Sequence, residues 1–149
     1  MRSMKIWLMF TLILSSSVSV ASEASKVEGL WLSEEKDGII KIENEDDTFF
    51  GHLIWIKPKD GKTASEFLDI ENPEKDLQDR KLLGIKLLEG FEYDDGSWSG
   101  GTIYDPKSGK TYSAKMKLED GKLNLRGYVG ISLFGRTSIW SSVKDIPKD

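Results

Sequence analysis

The chain has no cysteine and a single histidine, His52, among its 149 residues. No disulfide can staple it, no thiolate can serve as nucleophile or metal ligand, and no multi-histidine metal centre can be assembled. A lone His between Gly51 and Leu53, on an apolar strand, reads as a core residue rather than a base. Asn-x-Ser/Thr acceptor sites are absent, so nothing marks a glycosylated surface. Long apolar runs are missing too. The longest, residues 6–14, spans nine positions, where a membrane-crossing helix needs about twenty.

That run does have another reading. Arg2 and Lys5 precede it, and Ser19-Val20-Ala21 follows as a small-residue cleavage site, so residues 1–21 are expected to be a signal peptide. No cysteine follows the run to take a lipid anchor. Cleavage near Ala21 would leave residues 22–149 as one domain, periplasmic or secreted, with no transmembrane span. Loss of Arg2 and Lys5 takes the formal charge from −4 to −6. An acidic domain with scattered Lys is a poor match to nucleic acid or to an anionic membrane surface. A domain of this length can bury one real core, and without disulfides its stability rests on packing and sheet hydrogen bonds.

What is present is alternation. In residues 97–130, Tyr112, Ala114, Met116 and Leu118 face one way while Ser113, Lys115 and Lys117 face the other, a period of two that marks a half-wet strand. Asp120-Gly121 then supplies a two-residue hairpin turn. Further strands are expected at Val27–Ser33, Ile39–Glu43, Phe49–Ile56, Ile85–Tyr93 and Phe134–Val143. Asp-Gly pairs at 37–38, 60–61, 95–96 and 120–121 punctuate them. About eight short strands joined by consecutive hairpins predict an all-β fold, an antiparallel up-and-down barrel, because closure removes the exposed edges.

Residues 49–56 are apolar on both faces, so this strand needs a cover from outside the sheet. Residues 58–83 break the strand pattern and are the natural candidate. Asn72 followed by Pro73 reads as a helix cap and first turn, predicting one short helix within this insertion. The insertion is either such a cover or a lid over a barrel mouth. Asp69, with Asn72 and Arg80, is the expected anchor that ties it down, through Arg80 or Arg126.

Gly29-Leu30-Trp31 on the first strand is similar to the Gly-x-Trp signature of the calycin group, the lipocalins and their relatives. Arg136 on the last strand sits where those proteins place an arginine across that tryptophan, with Arg126 a rival. The resemblance implies that Gly29, Trp31 and Arg136 close one barrel end by a guanidinium–indole stack. Over nearly the whole mature chain the sequence more specifically resembles the bacterial family catalogued as domain of unknown function 2147. The matching pieces include Leu68-Asp69 with Asn72-Pro73, Leu82-Leu83-Gly84 and Trp98-Ser99-Gly100-Gly101-Thr102-Ile103-Tyr104-Asp105-Pro106. Arg126-Gly127-Tyr128-Val129-Gly130 and Gly135-Arg136-Thr137 belong to the same set. This implies a small exported barrel protein of unassigned activity. Relatives carrying Cys near the third strand differ from this chain, which has Phe50-Gly51-His52 there.

No catalytic constellation emerges. Turn aspartates such as Asp94, Asp95 and Asp105 normally bond their own backbone. No acidic loop has calcium-hand spacing, and Ser97-Trp98-Ser99-Gly100-Gly101 lacks the helix and Lys of a phosphate loop. The chain therefore reads as non-enzymatic, without metal or cofactor; a hydrolase using Asp69 or Asp105 is the least favoured reading. Trp55, Trp98, Tyr104, Arg126, Tyr128 and Trp140 are the candidate lining of a pocket for a small hydrophobic or amphipathic ligand. Eight-stranded barrels either hold one such molecule or are filled by their own side chains. In the filled case, the chain is an envelope interaction protein working through Phe67 and Leu68 of the insertion.

Overall fold

A computed structural model describes residues 17–148. The expected signal peptide falls largely outside the described residues. Eight antiparallel strands close into a barrel in strict sequence order: β1 (Gly29–Leu32), β2 (Gly38–Glu45), β3 (Thr48–Ile56), β4 (Lys86–Asp94), β5 (Ser97–Asp105), β6 (Lys110–Glu119), β7 (Lys122–Tyr128) and β8 (Arg136–Val143). Three of the four Asp-Gly pairs form two-residue turns as read, with positive φ at Asp60, Gly61, Asp95, Gly96, Asp120 and Gly121. The β2–β3 turn uses Asp46-Asp47 at φ of 51° and 63° instead, a conformation that Asp tolerates better than most side chains.

The barrel is filled. Ile40, Ile42, Phe49, Leu53, Leu88, Phe91, Ala114, Met116, Leu123, Leu125 and Trp140 all belong to one buried cluster. Two interior positions have no room for any side chain. A Cβ on Gly51 would lie 2.9 Å from both Ile40 and Leu88, and one on Gly101 would lie 2.4 Å from the Phe91 ring. Both distances are well inside van der Waals contact, so the neighbouring side chains press directly on these two glycines, as in a packed interior.

The end of the barrel that carries the chain termini is plugged from below. A short helix, α1 (Ser17–Ala24), and a 3₁₀ turn (Ser25–Val27) precede β1, and Val27 is fully buried in the barrel core. Two indoles hold the plug: Trp31 Nε1 donates to the Val27 carbonyl at 2.8 Å and Trp98 Nε1 to the Ala24 carbonyl at 3.1 Å. This corrects the expected stack of Trp31 on Arg136. Trp31 pairs across the sheet with Ser142, while Arg136 lies six residues back along β8, about 20 Å away at about 3.3 Å per residue. Arg126, the rival, is bonded to Ser132, Leu133 and Thr137 and is equally remote from the tryptophan. The closure is therefore indole to backbone, and among the described residues no guanidinium takes part.

The segment between β3 and β4 is the cover that the two-faced β3 strand requires. The expected short helix is there as a single 3₁₀ turn, Lys75–Leu77, alongside a second at Ala64–Glu66. Asn72 is not its cap: that position is Glu74, which makes no side-chain capping bond, and Asn72 Oδ1 instead accepts from the Glu74 amide at 2.8 Å, closing a turn over Pro73. A bulge between Ile39 and Ile40 makes Ile39 pair with Trp55 but Ile40 with Leu53. The extra residue turns Trp55 to the outside of the barrel, where it is buried with Ile39 and Ala64 apart from the main core.

Candidate functional site

Asp69 is the one fully buried charged residue among those described, with no exposed surface. Its carboxylate is completely engaged. Oδ1 accepts from the Tyr104 hydroxyl at 2.5 Å, and Oδ2 accepts from Asn72 Nδ2, Arg80 Nε and Arg80 Nη2, each at 2.8 Å. The Arg80 guanidinium also lies 5.8 Å from the centre of the Tyr104 ring. Backbone bonds align the two arms of the insertion: the Asp69 amide donates to the Arg80 carbonyl at 3.0 Å and the Leu82 amide to Phe67 at 2.9 Å. The loop then docks on the β5–β6 turn so closely that a Cβ on Gly109 would fall 1.9 Å from the Glu71 carbonyl oxygen. Gly109, at φ of 70°, is a position that only glycine can fill.

This arrangement anchors the insertion, as expected of Asp69, Asn72 and Arg80. It is built to hold shape rather than to do acid–base chemistry. A catalytic carboxylate must reach a substrate proton, and no Asp69 oxygen faces solvent. Asp105, the other carboxylate considered, closes its own turn by accepting from the Lys107 amide at 3.0 Å and the Ser108 hydroxyl at 2.6 Å. Among the described residues, no group of three or more His, Cys, Asp or Glu side chains is placed to hold a metal ion. His52 is not a core residue: it is half-exposed, with Nδ1 3.9 Å from Glu43.

Tyr104 carries the clearest electrostatic signature. Loss of solvent, and then the hydrogen bond and charge of Asp69, push its hydroxyl up to about 12 from an ordinary 10.0. A raised value in the folded state stabilises the fold below the unfolded value and loses that contribution as pH rises through the folded one. Wild type minus Tyr104→Phe should therefore show a stability difference that is constant up to about pH 10 and shrinks between there and about 12. Urea denaturation across that range checks it; a difference that does not change with pH refutes the coupling.

The six residues expected to line a ligand pocket do not meet. Trp98 and Trp140 are interior but serve as filler, with Trp140 Nε1 bonded to Ser138 Oγ at 2.9 Å. Trp55 is turned outside by the β-bulge. Tyr104 belongs to the Asp69 anchor. Arg126 alternates with inward Leu125 and pairs with exposed Lys115, so it lies on the outer wall, and Tyr128, two residues on, shares that face. Alternation alone does not say which of two apolar faces is inside, and a single bulge inverts the answer.

Sequence reading missed a second feature. The β7–β8 connection presents Val129, Ile131, Leu133 and Phe134 at 75, 58, 74 and 78% exposure. It is nevertheless held: Arg126 donates to the carbonyls of Ser132 at 2.6 Å and Leu133 at 3.0 Å, and Lys115 Nζ bonds Ser132 Oγ at 3.3 Å. After Tyr128, Val129, Ile131 and Leu133 alternate with Gly130 and Ser132, so the pattern reads as more strand and carries no local signal of an exposed loop.

Residues 29–142 match the family model described as an uncharacterized protein conserved in bacteria, DUF2147. The chain belongs to this family. Among solved structures, it is similar to the protein HP1028 of Helicobacter pylori, described as belonging to the lipocalin family. The two share 23% identity over 80% of this chain and 84% of that one, with a TM-score of 0.70. That likeness establishes a lipocalin-like barrel for this family member. No curated protein matches the sequence.

Proposed function

We propose that this is an exported, non-catalytic interaction protein whose barrel is a solid scaffold and whose working surface lies outside it. The observation that carries this reading is the pressure of Phe91 on Gly101 and of Ile40 and Leu88 on Gly51, which leaves no interior volume for a guest. One peripheral groove, of about 430 Å³, is lined by Lys115, Lys117 and Arg126 together with Asp95 and Glu119. Export rests on the amino-terminal pattern of Arg2, Lys5 and the apolar run.

A carrier role is the second reading, favoured by the lipocalin-like fold. A small amphipathic molecule would have to sit at the mouth, where half-buried Ile103 and Tyr112 and exposed Arg136 lie around Gly127. Native mass spectrometry of protein purified without refolding, followed by titration with palmitate under tryptophan fluorescence, separates the two. The solid-scaffold reading expects no bound species and no saturable quenching. A stoichiometric guest that quenches the interior indoles would establish the carrier.

A further inference from the structure

The working surface can be assigned a partner, an inference that rests on the solid-scaffold reading. From Pro106 to Lys144 the chain carries eight Lys and Arg against two acidic residues, a net +6 within a protein of −4 overall. Both acids, Glu119 and Asp120, sit at the β6–β7 turn, which an up-and-down barrel places at the end away from the β7–β8 connection. Around that connection the charges on β6–β8 are therefore cationic, Lys115, Arg126 and Arg136, with Lys110 set against Asp105 across the β5–β6 turn. The whole-chain acidity, which argued against an anionic surface, conceals this division.

Two observations thus coincide at one place. Four large apolar side chains project from a loop, and Lys115, Arg126 and Arg136 lie on the strands next to it. We infer that the 129–135 loop docks this protein on an anionic lipid bilayer. A protruding apolar tip suits the acyl boundary, and the cations beside it suit the phosphate level of the headgroups. Arg126 gives the loop its backing, since its bonds to the Ser132 and Leu133 carbonyls fix the backbone. Little ordering is then left to be done on contact. A protein pocket could accept such a loop, but it would not require cations on the strands beside it in an otherwise acidic molecule.

Co-sedimentation of the mature chain with vesicles of phosphatidylglycerol and phosphatidylcholine, against phosphatidylcholine alone, tests the inference. Binding is expected to the anionic vesicles, weakening with salt. The double variant Leu133→Ser/Phe134→Ser should bind about tenfold less or worse, since two large apolar burials are lost. These positions are exposed, so the fold is retained, which circular dichroism verifies. Lys115→Gln and Arg136→Gln should each cost about fivefold on anionic vesicles and little on neutral ones. Absence of vesicle binding, or binding indifferent to Leu133 and Phe134, would overturn the inference. So would self-association abolished by the same double variant, which would assign the loop to a second copy. Failure here with an empty palmitate titration would leave the solid scaffold standing; a palmitate complex would remove the scaffold reading by itself.

Discussion

Replacement of Asp69 by alanine is expected to destabilise the protein by about 3–5 kcal/mol, the range for removing one partner of a buried ion pair. Arg80, Asn72 and Tyr104 would each lose their shared acceptor. A buried donor without a partner costs more than the bond it once made contributed. Asp69→Asn keeps the shape but not the charge and should fall between wild type and alanine. Urea denaturation gives the free energy, and amide exchange shows where it is lost. The amides of Asp69 and Asn72, bonded to the Arg80 and Asp69 carbonyls, should lose protection first. A change within about 1 kcal/mol of wild type, the worth of an ordinary hydrogen bond, would mean that the cluster does not anchor the insertion.

The second large effect concerns the interior. Phe91→Ala should cost about 3–5 kcal/mol through lost burial and the cavity left behind. Gly101→Ala should cost about 1–3 kcal/mol through overpacking, because its Cβ must enter the Phe91 ring. The two should not add. With Phe91 truncated, the space that the new methyl needs is open, so the double variant should be more stable than the sum predicts by about 1–2 kcal/mol. Additivity would indicate that Gly101 does not abut Phe91, and hence that the barrel is looser than described.

Much of this architecture was legible in the residues. Period-two patterning in β6 and β7 and the Asp-Gly turns led to the eight-strand closed barrel, and the two-faced apolar β3 demanded the outside cover that the insertion supplies. Side-chain placement was less legible, for a physical reason. Which face of a strand is interior depends on register, and one extra residue on β3, Ile54, opposite Ile39/Ile40 moved Trp55 from the expected lining to the outer wall. The supposed Trp31–Arg136 stack failed on register too, since both lie on adjacent strands but pair six residues apart. The link from Asp69 to Tyr104 spans 35 positions and leaves no local pattern. The exposed loop was missed because apolar residues are read first as core, and nothing in Val129, Ile131, Leu133 or Phe134 says that they stay in water.

That the barrel interior is solid is tested most directly by a crystal structure of the protein pressurised with xenon, which occupies dry apolar cavities. The prediction is no xenon among Phe91, Met116, Leu125 and Trp140, with these side chains in mutual contact as in the buried cluster. One or more well-occupied xenon sites enclosed by those residues would contradict it and return the protein to the carriers.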